Sequence, residues 1–97
     1  MPDVGAALKR YVEDLNYRRL ARETIRKIEI MREELVVQFS STRIDQVLPD
    51  ELSRMKEAWK FKPSAAAKKL ERVRAFFKFC IERHWIEKNP AIGLQGA

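Results

Sequence analysis

Residues 64–85 carry the longest uninterrupted helical pattern in the chain. Apolar side chains recur there at steps of three and four, the spacing that places residues on one face of an α-helix. The proline at position 63 fits only at or before a helix start, and Ser64 is a favourable N-cap. The predicted buried face consists of Ala66, Leu70, Val73, Phe77, Cys80, Ile81 and His84. We therefore expect the rest of the chain to pack around this helix.

The opposite flank of the same helix is predicted to be cationic and partly aromatic. Lys68, Arg72, Phe79 and Arg83 fall along one stripe, with Phe76 at its edge. The whole chain has 20 Lys and Arg against 14 Asp and Glu, which gives a net charge of +6. Such an excess on a small domain favours polyanionic partners, and DNA is the partner we expect.

Three shorter helices are predicted ahead of this one. The first spans residues 3–17 with Asp3 as its cap, the second runs from 24 to about 39, and the third from 49 to about 59. Residues 43–48 are predicted to form a short extended connection that turns Ile44 and Val47 inward. The fold class is therefore all-α, a compact four-helix bundle. One domain is expected over residues 1–90, with residues 91–97 starting a linker.

Five cations gather around the predicted start of the second helix: Arg18, Arg19, Arg22, Arg26 and Lys27. The N-terminus of a helix already offers free N–H groups and the positive end of the helix dipole to phosphates. Thr24 stands where a cap or a phosphate-binding hydroxyl is expected. A solvated basic loop is the alternative interpretation of such a charge cluster.

The residues needed for most catalytic and metal sites are missing. His84 is the only histidine, Cys80 the only cysteine, and the three glycines are far apart. A two-histidine metal site, an intrachain disulfide and a glycine-rich phosphate loop are thereby excluded, and no cofactor is expected. No apolar run is long enough to cross a membrane, and no hydrophobic signal core precedes residue 10, so we expect a cytoplasmic protein without membrane contact.

Three segments together resemble a known family. They are residues 20–35, residues 43–52, and residues 69–91, which contain Arg74, Phe76, Phe77, Ile86 and the pair Asn89-Pro90. In order and spacing they are similar to the N-terminal core-binding (SAM-like) domain of phage integrases and other tyrosine recombinases. The resemblance covers roughly residues 5–91.

The resemblance implies an orthogonal four-helix bundle that closes around double-stranded DNA together with a C-terminal catalytic domain beyond Pro90. It implies that this chain is not itself an enzyme and that it serves recombination or integration in a prokaryotic or phage host. A homo-oligomer on DNA is one of the partners considered, and the sequence does not decide whether the parent assembles in this way. Arg74, near the core face, is expected to brace the fold instead of reading bases. The DNA-binding residues expected from the charge pattern and by position in the family are Arg22, Thr24, Arg26, Lys27, Lys68, Lys69 and Arg72.

Two other functions fit the sequence. The third and fourth helices could form the helix-turn-helix of a stand-alone DNA-binding regulator, although the fourth is long for a reading helix. A helical protein-interaction module is the second alternative, with Phe79 and Ile30 as exposed anchors.

Overall fold

The computed structural model describes residues 1–39, 41–59 and 62–94. Within these residues the chain forms four α-helices and a 3-10 turn at Ile44–Gln46, and no strand beyond an isolated antiparallel bridge between Asp3 and Arg43. The all-α prediction is therefore confirmed. None of the described helices is long and apolar enough to cross a membrane. The helices are α1 (Val4–Tyr17), α2 (Arg22–Phe39), α3 (Pro49–Glu57) and α4 (Pro63–Glu82).

The chain divides into two compact units, Met1–Ile44 and Asp45–Ala97. The first unit holds α1 and α2, and the second holds α3, α4 and the segment that follows α4. The predicted domain boundary near residue 90 stays a prediction.

The first unit is a helical hairpin, and backbone hydrogen bonds join the start of α1 to the residues that follow α2. The N–H of Val4 donates to the carbonyl oxygen of Thr42 at 2.8 Å, and the N–H of Ile44 donates to that of Pro2 at 3.0 Å. The start of α1 therefore lies beside the end of α2, which makes the two helices antiparallel. The core of the hairpin comprises Val4, Ala7, Leu8, Tyr11, Val12, Leu15, Ile28, Met31, Leu35, Phe39 and Ile44.

Local side-chain chemistry sets the start of α1 but not the start of α2. Asp3 Oδ1 accepts a hydrogen bond from the N–H of Ala6 at 2.8 Å, as predicted for an N-cap. The second helix begins at Arg22, two residues earlier than predicted, and its first intrahelical bond runs from the N–H of Ile25 to Ala21 at 3.1 Å. Thr24 lies inside the first turn, so its predicted role as the cap is wrong.

The ends of α1 and α4 share one backbone motif. After α4 the N–H of His84 donates to Ile81 at 2.9 Å and the N–H of Trp85 to Cys80 at 3.0 Å, the paired bonds of a Schellman cap. His84 takes a left-handed conformation with φ 63° at the position that glycine usually occupies. Arg19 holds the same position after α1, with φ 56°.

This cap ends α4 at Glu82, three residues before the predicted end. His84 therefore lies beyond the helix and is exposed, and its predicted place on the apolar face is wrong. The start of α4 also differs from prediction. Pro63 is the first helical residue and Lys62 the N-cap, so Ser64 is not the cap.

The buried face of α4 is wider than the face predicted from the sequence, because it also includes Phe76 and Phe79. Phe76 and Phe77 are both fully buried, with ring centroids 5.0 Å apart. Phe79 is only 7 % exposed and meets the edge of Trp85 at a centroid distance of 5.9 Å. Phe79 is therefore a buried residue, and its predicted place as an exposed anchor is wrong.

The segment after α4 folds back onto that helix and is held by Arg74. The Nε of Arg74 donates to the carbonyl oxygen of Ala91 at 3.1 Å, and its Nη2 donates to that of Leu94. Asn89 Nδ2 donates in turn to the carbonyl oxygen of Arg74 at 3.0 Å. The bracing role predicted for Arg74 is confirmed. Ala91, in the predicted linker, is fully buried, whereas Ile92 is 69 % exposed. Arg74 therefore holds the start of the predicted linker at Ala91 and Leu94, and residues 95–97 lie outside the described part.

Candidate nucleic-acid interface

The α1–α2 connection and the first turns of α2 carry a concentrated positive charge, which we call the basic cluster. All its members are exposed, and they surround one end of one helix. Glu23 is the one acidic residue within this stretch of sequence. Asp14, four residues before the stretch, places its Oδ2 3.0 Å from an Nη of Arg18. The cluster therefore keeps a clear positive excess. Its members are Arg18, Arg19, Arg22, Arg26 and Lys27.

Four of the predicted contact residues lie in the first two turns of α2, but they do not share one side of it. At about 100° per residue, Arg22 and Thr24 are about 160° apart around the helix axis. Arg26 lies beside Arg22, one turn further along, and Lys27 lies nearer Thr24. A flat partner that lies along the side of α2 therefore cannot contact all four residues. A partner at the N-terminal end of the helix can contact both Arg22 and Thr24.

The end of α2 is chemically suited to an anion. Ala21 precedes the first turn, and its methyl side chain offers no acceptor to the N–H groups of that turn. These N–H groups and the helix dipole place positive potential at the end of the helix where Arg22 lies. The end of the helix and the side chains therefore attract negative charge together.

The predicted residues on α4 form a weaker group. Lys68 is exposed and Arg72 half-buried, and the exposed Glu71 lies between them in sequence. Lys69 is buried, with 8 % of its surface exposed, and its Nζ lies 5.2 Å from the centroid of the Trp59 ring. Its ammonium group is engaged inside the unit, so Lys68 and Arg72 are the α4 residues placed to meet a partner.

The basic cluster and the α4 residues belong to different units, Met1–Ile44 and Asp45–Ala97. That both groups grip one DNA duplex stays a prediction.

The guanidinium group of Arg83, just after α4, contacts two aromatic rings, and the sequence predicted only one of these contacts. The guanidinium carbon of Arg83 lies 5.2 Å from the centroid of Phe79 and 5.9 Å from that of Trp85. The spacing of the sequence placed Arg83 beside Phe79. It gave no signal for Trp85, because the left-handed turn at His84 brings that ring back toward the helix.

The described residues offer little for catalysis. They contain no group of three His, Cys, Asp or Glu side chains that could hold a metal ion. Burial raises the pKa of the Cys80 thiol to about 12, which leaves it protonated and unreactive at neutral pH. An open groove of about 610 Å³ runs between α4 and the segment after it, with Ala75, Ile81 and Ile92 in its lining, but it contains neither cysteine nor histidine.

No protein-family model, curated protein or solved structure matches the chain. The functional conclusion therefore depends on the residues and on the geometry of the two units.

Proposed function

We propose that this chain is a DNA-binding module of the tyrosine recombinase core-binding type, which grips duplex DNA during site-specific recombination or integration. The observation that carries the proposal is the basic cluster, five exposed cations in the α1–α2 connection and the first turns of α2. A positive excess at a helix N-terminus suits the phosphate backbone of a nucleic acid.

In this proposal α2 meets the DNA backbone with its N-terminal end. Arg22 and Thr24, on opposite sides of the first turn, reach different phosphates, and Arg26 and Lys27 extend the contact by one turn. Such contacts supply affinity and orientation but little sequence information. Lys68 and Arg72 on α4 add charge and are the candidates for contacting guanine edges in the major groove.

The recombinase part of the proposal is supported by the three similar segments alone. The module then contributes no catalytic residue. The nucleophilic tyrosine belongs to a catalytic domain of the same parent chain, acting in the cytoplasm as a homo-oligomer on DNA. The parent reading frame tests this part. An arginine, a His-x-x-Arg motif and a tyrosine downstream of residue 97 support it, and a stop codon at that point contradicts it.

Titration with a short DNA duplex at several salt concentrations tests DNA binding itself. If about four to six phosphates are neutralised, the logarithm of the affinity should fall with the logarithm of salt with a slope of about −4 to −5. The double variant Arg22→Gln/Arg26→Gln should bind more weakly, and its slope should be shallower by about 2.

The matched control is Lys9→Gln/Arg10→Gln, which removes the same charge from exposed positions on α1 outside the basic cluster. This control should keep a slope close to that of the unchanged chain. A titration that does not depend on salt, or equal losses in the two double variants, would count against the proposal.

A further inference from the structure

The outer face of α2 exposes two apolar side chains that the hairpin core does not use. Ile30 is 48 % exposed and Val37 is 85 % exposed, and seven residues, or two helical turns, separate them. They therefore lie on the same face of the helix. Exposed Glu33 lies between them in sequence, and Arg26 lies one turn before Ile30.

The charges flank Ile30 in an ordered way. Around the helix axis, Arg26 and Glu33 both lie about 40–60° to one side of Ile30, and Lys27 and Glu34 lie about 40–60° to the other side. Each flank thus carries one cation before Ile30 and one carboxylate after it. Along the helix, the charge on both flanks therefore changes from positive before Ile30 to negative after it.

We propose that this face of α2 binds the same face of a second copy of the chain, with the two helices antiparallel and Ile30 on the two-fold axis. A two-fold axis across antiparallel helices brings each flank against the same flank of the other copy and inverts the direction along the helix. Arg26 of one copy then meets Glu33 of the other within about one residue step, roughly 1.5 Å along the axis. The symmetry makes this ion pair twice.

The same charges disfavour a parallel arrangement of the two helices. Parallel helices related by a two-fold axis face each other with opposite flanks at equal height, which places Arg26 against Lys27 and Glu33 against Glu34 of the second copy. Like charges at both heights repel. The charge order therefore favours the antiparallel pairing, with Arg26–Glu33 as the main contact because Glu34 already has an interaction within its own chain.

This pairing of the DNA-free chain is distinct from the assembly on DNA in the proposed function and does not rest on it. Because Arg26 belongs both to the basic cluster and to this surface, DNA and a second copy compete for that residue. One helix face is at the small end of interface sizes, so we expect a reversible dimer with a dissociation constant on the order of 0.1–1 mM.

Sedimentation equilibrium at protein concentrations up to a few millimolar tests the pairing. The unchanged chain should show a reversible dimer, and Glu33→Lys and Arg26→Glu should each be monomeric. An equimolar mixture of these two variants should dimerise again, because every reversed charge then faces its opposite. A monomeric unchanged chain, dimers of either single variant alone, or a monomeric mixture would overturn the proposal.

Oxidative cross-linking tests the direction of the helices. Ile30→Cys should form a covalent dimer, because its two copies meet at the axis. Val37→Cys should not, because its copies are about 21 Å apart along antiparallel helices. The unchanged chain is the control, since Cys80 is buried. Equal cross-linking of both variants would indicate parallel helices and overturn the proposal.

Discussion

The Nε of Arg74 donates a hydrogen bond to the carbonyl oxygen of Ala91 at 3.1 Å, which joins the middle of α4 to the segment that follows it. Asn89 completes the connection, since its Nδ2 donates to the carbonyl oxygen of Arg74 and its Oδ1 accepts from the N–H of Ala91 at 2.9 Å. One guanidinium and one amide therefore fix the path of the chain after α4.

The Arg74→Met variant should lower the free energy of unfolding by about 2 kcal/mol, because two carbonyl oxygens lose a charged donor. Urea denaturation measures the loss. The control is Lys78→Met, an exposed position on the same helix, which should change stability by less than about 0.5 kcal/mol. Equal losses in the two variants would show that Arg74 does not hold the segment.

Replacing His84 with glycine should stabilise the chain by about 0.5–1 kcal/mol. His84 has φ 63°, a conformation that strains a residue with a Cβ and that glycine adopts freely. Thermal unfolding followed by circular dichroism measures the gain. Glu82→Gly, at the last residue of α4, should instead destabilise the chain, by less than the roughly 1 kcal/mol that glycine costs in a helix interior. A destabilised His84→Gly variant would contradict the assignment of this turn.

Cys80 should make stability fall at alkaline pH. Burial raises its pKa from 9.0 to about 12, so above pH 9 the unfolded chain loses a proton that the folded chain keeps. The free energy of unfolding should then decrease by up to about 1.4 kcal/mol per pH unit between pH 9 and 12 from this thiol alone. The measurement is urea denaturation across this range, compared with Cys80→Ala. If the variant shows the same slope, the thiol is not responsible.

Replacing Lys69 with methionine should affect stability, whereas the same replacement at Lys68 should affect DNA binding. Lys69→Met should lower the free energy of unfolding by about 0.5–1 kcal/mol, because its Nζ leaves the Trp59 ring, and should change DNA affinity little. Lys68→Met, at an exposed position, should keep stability and weaken DNA binding. Denaturation and DNA titration of both variants check the pair, and an equal loss of affinity would place Lys69 in the interface.

Local signals predicted much of this fold. Asp3 as a cap, Pro49 as the first residue of α3, and the inward turn of Ile44 and Val47 all depend on residues close in sequence. Helix ends were harder to predict. His84 ends α4 in a conformation that the sequence usually marks with glycine, and Ala21 starts α2 without a polar cap, so neither boundary carried its usual signal.

The candidate site divides in the same way. The exposure of Arg22 and Arg26 follows from the amphipathic pattern of α2 alone. The burial of Phe79 and Lys69 does not, because it depends on contacts with Trp85 and Trp59 from outside α4. Periodicity within one helix cannot show which of its flanks a distant aromatic ring will cover.

The hydrogen bond of 3.0 Å from the N–H of Ile44 to the carbonyl oxygen of Pro2 places the two ends of the α1–α2 hairpin side by side. A segment whose two ends adjoin can be spliced into a surface loop of an unrelated host without stretching the host chain. An insert made of residues 2–44 would therefore join its host at a single point and carry the arginines of the basic cluster to a new scaffold.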